Sequence, residues 1–249
     1  MKARGGAAAI VEAVDWQQPW LAPFERPVFD DQASVAETLN RRRSGNMRFV
    51  ASSEMPSTEA YERFIFETRS IPTRDNLHDF FNGFAWLHFP QAKRRLNELQ
   101  AAEISRSGIG AIRGALRDAL TLFDENGAVL DAPPLLWEAL RARDWHRLFV
   151  TERALWREAR LLVFGHALLE KLVMPRKPLT AHVLCAPCAS PSIAIDDAAI
   201  AAALDAAHLA NKPFVPLPVL GVPGWWAPNE MPAFYDDSEV FRPPRPARR

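Results

Sequence analysis

Three features that often reveal a protein's function are scarce in this sequence: cysteine, net charge and long hydrophobic segments. The 249 residues include only two cysteines, which is too few for a disulfide framework. Lys+Arg and Asp+Glu number 30 each, so the formal net charge is zero, whereas nucleic-acid-binding domains usually carry a basic surface. The longest uncharged apolar stretch, residues 161–169, is far shorter than the roughly 20 residues that span a bilayer. These absences argue against nucleic-acid and membrane partners.

Targeting signals and well-known catalytic motifs are also missing. The first apolar run is short and is interrupted by Glu12 and Asp15, unlike the hydrophobic region of a signal peptide. We therefore expect a cytoplasmic protein. The sequence contains no G-x-S-x-G, no phosphate-binding glycine loop, no H-E-x-x-H and no dinucleotide fingerprint. It leaves open whether the chain is an enzyme.

The sequence does contain enough apolar material for a large core. Hydrophobic residues make up 48% of the chain, with 15 Phe and 8 Trp, as expected for a globular protein. The patterns predict a mostly helical single α+β domain with a small antiparallel sheet and a Pro-rich C-terminal strap. We divide the chain into an extended N-terminal arm (1–30), a globular α+β domain (31–212) and a Pro/Trp-rich segment packed on that domain (213–249), whose basic end is frayed.

Several helices are predicted in the first half of the chain. One begins near Asp31, a second has Ser57 as its N-cap, and a third covers residues 75–88. Pro90 begins a fourth helix. The outer, solvated face of this fourth helix is predicted to carry Lys93, Arg94 and Glu98.

The predicted sheet is built around a hairpin. Asn126-Gly127 is the dipeptide that best tolerates a type I′ turn, and apolar runs at 118–123 and 128–131 flank it. Strands near 47–51 and 179–185 complete the predicted antiparallel sheet.

The stretch TRDNLHDFFN, residues 73–82, carries an unusual concentration of polar side chains. On a helix, Asp75, His78, Asp79 and Asn82 fall on one row at i, i+3, i+4 and i+7, and the row continues to Trp86. Short polar side chains that lead to an indole favour a face pointing into a cleft rather than into bulk water. Two interpretations remain open: a well-capped helix start, or a site for metal or acid–base chemistry near neutral pH.

A second histidine could join the first. A long buried helix is predicted from Thr151 to about Val173, and on it His166 and Glu170 share a face at i, i+4. A buried histidine needs a partner, because an unsatisfied buried polar group costs on the order of 1–3 kcal/mol. Gly165 allows another backbone to approach closely. His166 is therefore either a satisfied core residue or part of a nitrogen/oxygen site.

We combine the two stretches into one candidate pocket between two helices, for a small-molecule- or metal-binding enzyme. The cofactor would be a divalent metal, zinc or iron. The candidate catalytic residues are Asp75, His78, Asp79, His166 and Glu170. The candidate metal ligands are His78, Asp79, His166 and Glu170. The candidate substrate-binding residues are Arg74, Asn82 and Trp86, with Arg74 meeting an anionic group.

Two other features offer alternatives. His182, Cys185 and Cys188 are spaced as half a zinc site or a redox pair, or the thiols are simply small core side chains. The strap from 213 to 235, around Trp225-Trp226, could instead be a surface that binds a protein partner, which would make the chain a non-enzymatic interaction module.

Most of the chain also resembles a known family. The stretches are FIFETRSIPTRDNLHDFFNGFAWLHFPQAKRRLNELQ, RDALTLFDENG, LLVFGHALLEK and PLPVLGVPGWW followed by FYDD. From about Glu54 to Arg245 they resemble a proteobacterial family of unknown function, domain of unknown function 3025. The resemblance implies no established activity, cofactor or partner, and it does not include the pair Cys185 and Cys188.

Overall fold

The computed structural model describes residues 7–27, 33–43, 45–107, 114–188 and 190–243. Its α-helices are α1 (Ala7–Glu12), α2 (Val35–Asn40), α3 (Tyr61–Thr68), α4 (Leu77–His88), α5 (Pro90–Ser107), α6 (Ala115–Asn126), α7 (Pro134–Ala142), α8 (His166–Lys171), α9 (Asp197–Ala203) and α10 (Ala206–Ala210). Its strands are β1 (Arg48–Ala51), β2 (Ser70–Thr73), β3 (Gly127–Asp131), β4 (Arg160–Val163), β5 (Thr180–Leu184) and β6 (Phe214–Pro218). Helices account for about 52% of the structure, which confirms the α+β, mostly helical fold. In the described ranges, no helix combines the length and the apolar character that crossing a membrane requires.

The strands form two separate sheets, not the one antiparallel sheet expected. β1 pairs with β2 in parallel, with Phe49 opposite Ile71. The direction is parallel because the chain returns through α3, a crossover that a hairpin cannot provide. The second sheet has the order β4-β3-β5-β6. Its outer pairs are antiparallel and its central pair, β3 with β5, is parallel.

The predicted hairpin at 118–123/128–131 is wrong, because its first half is helix α6. Ala119, Leu120 and Phe123 are all fully buried, and their spacing places them on one helical face. Gly127 ends the helix with φ −72° and ψ 153°, an extended conformation rather than a type I′ turn. A strand therefore leaves the helix directly, and its partners come from distant parts of the chain.

The long helix predicted from Thr151 to Val173 is also wrong. A π-helical turn (Arg147–Thr151) and a 3₁₀ helix (Arg153–Arg157) precede β4, and only the short α8 follows it. The apolar residues before Gly165 pair with β3, so that Leu162 lies opposite Val129. A short apolar run fits a buried strand as well as a buried helix, and periodicity alone cannot separate the two.

The N-terminal arm is not extended as expected. It includes α1 and a 3₁₀ turn (Pro19–Leu21), and the Trp20 side chain is buried. Trp16 contacts the Phe80 and Phe84 rings edge-on, so this segment contributes to the core. Residues 1–6 and 28–32 of the arm lie outside the described residues.

Two predicted helix starts also shift. Asp31 lies outside the described residues, and α2 begins at Val35 with Ser34 and Glu37 forming a capping box. α3 begins at Tyr61, four residues after the predicted Ser57 cap.

The Pro-rich C-terminal segment lies against the body. It supplies β6 at the edge of the larger sheet, where Pro216 and Pro218 are tolerated because an edge strand has unpaired positions. Further along, the fully buried Asn229 donates through Nδ2 to the carbonyls of Leu220 and Val222, both at 2.8 Å. Residues 244–249, the predicted frayed end, lie outside the described residues.

Gly165 sets the distance between α6 and α8. A Cβ at Gly165 would lie 2.5 Å from the Glu125 carbonyl oxygen and 2.6 Å from the Asn126 nitrogen. Because these atoms belong to backbone, they cannot move aside as a flexible side chain would. The absence of a side chain at Gly165 is therefore what allows α8 to start beside the end of α6.

We predict that Gly165→Ala destabilises the protein by about 1–3 kcal/mol, the usual cost of overpacking. Gly114→Ala is the control, because a Cβ there meets no atom within 4 Å, and it should cost less than about 1 kcal/mol. Urea denaturation measures both. Equal losses in the two variants would contradict the close approach at Gly165.

Candidate metal centre

The start of α4 is fixed by its cap and by an ion pair. Asn76 is the N-cap, and its Oδ1 accepts from the Asp79 backbone nitrogen at 2.7 Å. Asp79 also accepts from Arg74 Nε at 3.0 Å and from Arg74 Nη2 at 2.9 Å. The first turn is held from both sides, and His78 projects from it toward α8.

His78 and His166 meet between α4 and α8. Their Nε2 atoms are 3.2 Å apart. On the opposite side of its ring, His78 Nδ1 lies 2.9 Å from Glu170 Oε2. His166 Nδ1 faces Asp124 Oδ2 at 3.7 Å, slightly beyond a direct hydrogen bond. The structure thus brings together two histidines that are 88 positions apart in the chain, each with a carboxylate behind it.

The last turn of α6 supplies two carboxylates that the sequence analysis missed. Glu125 Oε1 is 3.8 Å from His166 Nε2, and Asp124 lies behind the same ring. Treating Asn126-Gly127 as a hairpin turn assigned both acids to a loop. Once α6 is recognised as a helix, these two acids can be identified as unusual, because carboxylates at a helix C-terminus interact unfavourably with the helix dipole. Such an arrangement calls for a compensating cation.

The geometry of His78, His166 and Glu125 suits a metal ion. One ligand atom from each residue lies within 4.8 Å of the others. Within the described ranges, these three residues are the one group of His, Cys, Asp or Glu side chains that meets this distance. Two ligands bound at about 2.0–2.1 Å in a tetrahedral site are about 3.3 Å apart, close to the 3.2 Å between the two Nε2 atoms. Carboxylates behind ligating histidines fix the tautomer and orient the ring. Glu170 and Asp124 hold those positions.

Burial keeps His166 neutral. The residue is 4% exposed, and burial lowers its pKa to about 4, with Asp124 opposing the shift and Lys93 adding to it. A neutral imidazole offers a lone pair to a metal. If His78 Nδ1 donates to Glu170, its Nε2 also carries a lone pair. Two lone pairs 3.2 Å apart repel unless a proton or a cation lies between them.

Lys93 lies behind the centre and not on a solvated face as predicted. It is 3% exposed, and its Nζ donates to Asn82 Oδ1 at 2.9 Å and to Asp124 Oδ1. The Trp86 ring is 5.6 Å away, in cation–π range. Burial would raise the pKa of Asp124, but Lys93 and His166 outweigh it, so the pKa is lowered. Lys93 thereby keeps the carboxylate behind His166 charged.

A cavity of about 390 Å³ opens beside the histidines. Tyr61 and Glu62 form part of its wall, and Tyr61 OH accepts from Asn82 Nδ2 at 2.9 Å. Burial raises the pKa of Glu62, with Asp124 adding to the shift. The lining residues are Ser52, Met55, Tyr61, Glu62, Pro72, Arg74, His78, Asp79, Asn82, Asp124, Glu125 and His166. The cavity is large enough for a small-molecule ligand.

The other candidate residues are placed differently. Asp75 accepts from the Val35 backbone nitrogen at 2.7 Å and therefore caps α2. Asp79 is paired with Arg74 on the cavity wall, whereas Trp86 is buried deeper, beside Lys93. Glu170 supports His78 from behind.

The thiol pair stands apart from this centre. Cys185 and Cys188 are both free, the first buried and the second exposed. Neither they nor His182 belong to a group of three metal-ligating side chains in the part of the chain that is described. Burial raises the pKa of the Cys185 thiol, which makes it a weak nucleophile.

We predict that Lys93→Met destabilises the protein by about 3–5 kcal/mol, because it leaves Asp124 buried without a partner. Adding Asp124→Asn should recover part of the loss. The control is Lys212→Met, which breaks the half-exposed pair with Asp118 and should cost about 1 kcal/mol or less. Chemical denaturation gives all values, and strict additivity of the two core substitutions would rule out the coupling.

We also predict that the metal-free protein loses stability as the pH falls from 6.5 to 4. The unfolded state binds a proton at His166 near pH 6.5, whereas the folded state does so only near pH 4. Stability from this residue is therefore complete above pH 6.5 and declines by on the order of 3 kcal/mol toward pH 4. Urea denaturation in chelator should show a shallower pH dependence for His166→Gln. Parallel curves would contradict the prediction.

Comparison with known proteins assigns the family but no activity. Searches of curated proteins and of solved structures gave no match. Residues 47–245 match a family described as protein of unknown function (DUF3025), which confirms the resemblance seen in the sequence. Because this match covers well over half of the chain, the protein belongs to the DUF3025 family.

Proposed function

We propose that the chain is a metal-dependent enzyme with a mononuclear centre. His78 and His166 bind the ion through Nε2, and Glu125 binds it through its carboxylate. The observation that carries the proposal is the convergence of the two Nε2 atoms at 3.2 Å, with a carboxylate behind each ring. Asp79 and Glu170, candidate ligands from sequence, act here as partners of Arg74 and His78.

The ligand set indicates which ions fit. Two imidazoles and one carboxylate form a catalytic zinc site and also the facial site of non-haem iron(II). Three protein ligands leave a coordination position for water or substrate. His78, His166 and Glu125 all line the cavity, so this position opens into the space where a substrate binds. A structural site would be closed by a fourth side chain.

The chemistry that this centre supports is hydrolysis. A zinc ion lowers the pKa of its bound water to about 7, which supplies hydroxide at neutral pH. Hydroxide supplied by a metal held at His78, His166 and Glu125 would form a bond to an electrophilic carbon of the substrate, the bond to the leaving nitrogen or oxygen would break, and the leaving group would take the hydroxide proton. Glu62, whose pKa is raised by burial, lines the same cavity and is suited to carry that proton.

Two further parts of the proposal concern the location of the protein and its partners. A cytoplasmic location agrees with the two free thiols, because reducing compartments preserve them. A protein partner for residues 213–235 stays a prediction. The contacts in that strap serve the fold itself: Trp225 packs on Trp20, and Tyr235 stacks on Phe149.

We predict that the chelator-treated protein takes up one equivalent of zinc, cobalt(II) or iron(II). His78→Ala, His166→Ala and Glu125→Gln should each weaken binding by about 100-fold or more. Glu170→Gln should weaken it by about 10–100-fold, the usual effect of losing the group behind a ligand. Elemental analysis gives the stoichiometry, and competition with a chromophoric chelator gives the affinity.

His146→Ala provides the matched control, because His146 is exposed and lies outside the cluster. This variant should bind metal like the wild-type protein. A folded wild-type protein that takes up no transition metal would contradict the proposed centre. So would equal binding by the wild-type protein and the two cluster histidine variants.

A further inference from the structure

The cavity beside the metal centre has charge features that restrict its substrate. Among the described residues lining it, Arg74 is the permanent cation. The Arg74 side chain is 63% exposed, but both its Nε and its Nη2 donate to Asp79. This two-point contact is the strong form of an Arg–carboxylate pair. Arg74 is therefore already neutralised from within the cavity wall.

The second nearby cation is equally committed. Lys93 is buried, and its ammonium is bound by Asp124 and Asn82. Pulling it from these partners would leave Asp124 buried without a counter-charge, which is costly. A third cation, Lys171, acts on Glu125 from an exposed position, but its Nζ donates to Asn126 Oδ1 and it does not line the cavity. Arg74 and Lys93, the two basic side chains closest to the cavity, are thus both paired with carboxylates.

The net charge of the site does not favour a doubly negative ligand. Arg74–Asp79 and Lys93–Asp124 are neutral as pairs, and Lys171 offsets the charge of Glu170. A divalent ion and Glu125 would then together leave one positive charge. The metal-bound hydroxide required for hydrolysis neutralises that charge. Glu62, on the same wall, adds acidic character rather than basic character. Phosphate sites, in contrast, present free arginines, lysines or helix N-termini to the ligand.

The other wall groups favour a neutral, compact ligand with N–H donors. Met55, Pro72 and the Tyr61 ring provide apolar surface in the cavity of about 390 Å³. Asp79 is occupied by Arg74, so the acceptor on this wall is the carboxylate of Glu62, and hydrogen bonds to carboxylates are among the stronger ones. A carbonyl oxygen would bind at the open position of the metal.

We propose, building on the metal-dependent function above, that the substrate is a small neutral amide and that phosphate esters are excluded. Water oxygen bonds to the amide carbon, the C–N bond breaks, and the nitrogen takes the proton and leaves as an amine. No oxidant or reductant is required. Glu62 would accept from the N–H side of the amide, and a metal held by His78, His166 and Glu125 would bind its carbonyl oxygen.

The test uses the cobalt(II)-substituted protein, whose visible spectrum reports on the open coordination position. Acetamide, a small neutral amide, should perturb the spectrum in a saturable way. Inorganic phosphate and phenylphosphonic acid should bind at least about tenfold more weakly, a difference of about 1.4 kcal/mol. Phosphate that binds as tightly as acetamide, or acetamide that leaves the spectrum unchanged, would overturn the proposal.

A variant sharpens the comparison. Asp79→Asn keeps the acceptor for the Arg74 backbone nitrogen, which lies 2.7 Å from the carboxylate, but removes the negative charge. Arg74 then becomes a free cation, and phosphate affinity should rise about tenfold or more. An unchanged phosphate affinity in this folded variant would show that pairing of Arg74 is not what excludes anions. The wild-type comparison does not depend on the variant folding.

The experiments distinguish an incorrect metal centre from an incorrect substrate class. Absence of cobalt absorption would overturn the metal centre itself, together with everything built on it. Normal cobalt binding with a preference for phosphate would leave the metal centre intact and overturn only the amide substrate.

Discussion

The approach of the Nε2 atoms of His78 and His166 to 3.2 Å is the constraint from which the rest of this site follows. Such an approach is repulsive when both nitrogens carry lone pairs, so it requires a proton or a metal between them. Glu170 favours the His78 tautomer with its N–H on the far side of the ring, whereas Asp124, at 3.7 Å from His166 Nδ1, contributes its charge without a direct hydrogen bond. The buried position of His166 adds to this, since burial lowers its pKa and so favours the imidazole form, which has a lone pair to offer a metal.

The fold assembles this centre from the ends of three short elements. His78 lies in the first turn of α4, His166 begins α8, and Glu125 lies in the last turn of α6. Element ends can converge on a point, which the middles of packed helices cannot do at this distance because interaxial spacings are about 8–10 Å. The contact that permits the convergence is backbone against backbone at Gly165. The same close approach therefore determines both the core packing and the geometry of the site in this region.

The sequence predicted part of this arrangement. The spacing of polar residues along α4 and the i, i+4 relation of His166 and Glu170 identified the two facing histidines. Both patterns involve residues close together in the sequence, so they can be recognised without knowing the fold. The third ligand, Glu125, was missed because an Asn-Gly dipeptide favoured a hairpin where a helix ends. Lys93 was assigned to a solvated face because helical periodicity does not report which face is covered by another element. Local sequence patterns also could not predict which strands pair. Each sheet contains one parallel pair, whose two strands are separated by other elements along the chain.

The buried ion pair also explains why one metal, and not two, fits this centre. Asp124 could in principle bridge two ions, as carboxylates in dinuclear sites do. Its Oδ1 is occupied by the Lys93 ammonium, and its Oδ2 faces His166. The Oδ1 atom is thus committed to Lys93, and the ammonium is a positive charge that would repel a second ion bound by Asp124. A protein cation in that place costs desolvation, but it supplies a charge that chelation cannot remove, so the ligand side chains keep their orientation when the metal leaves.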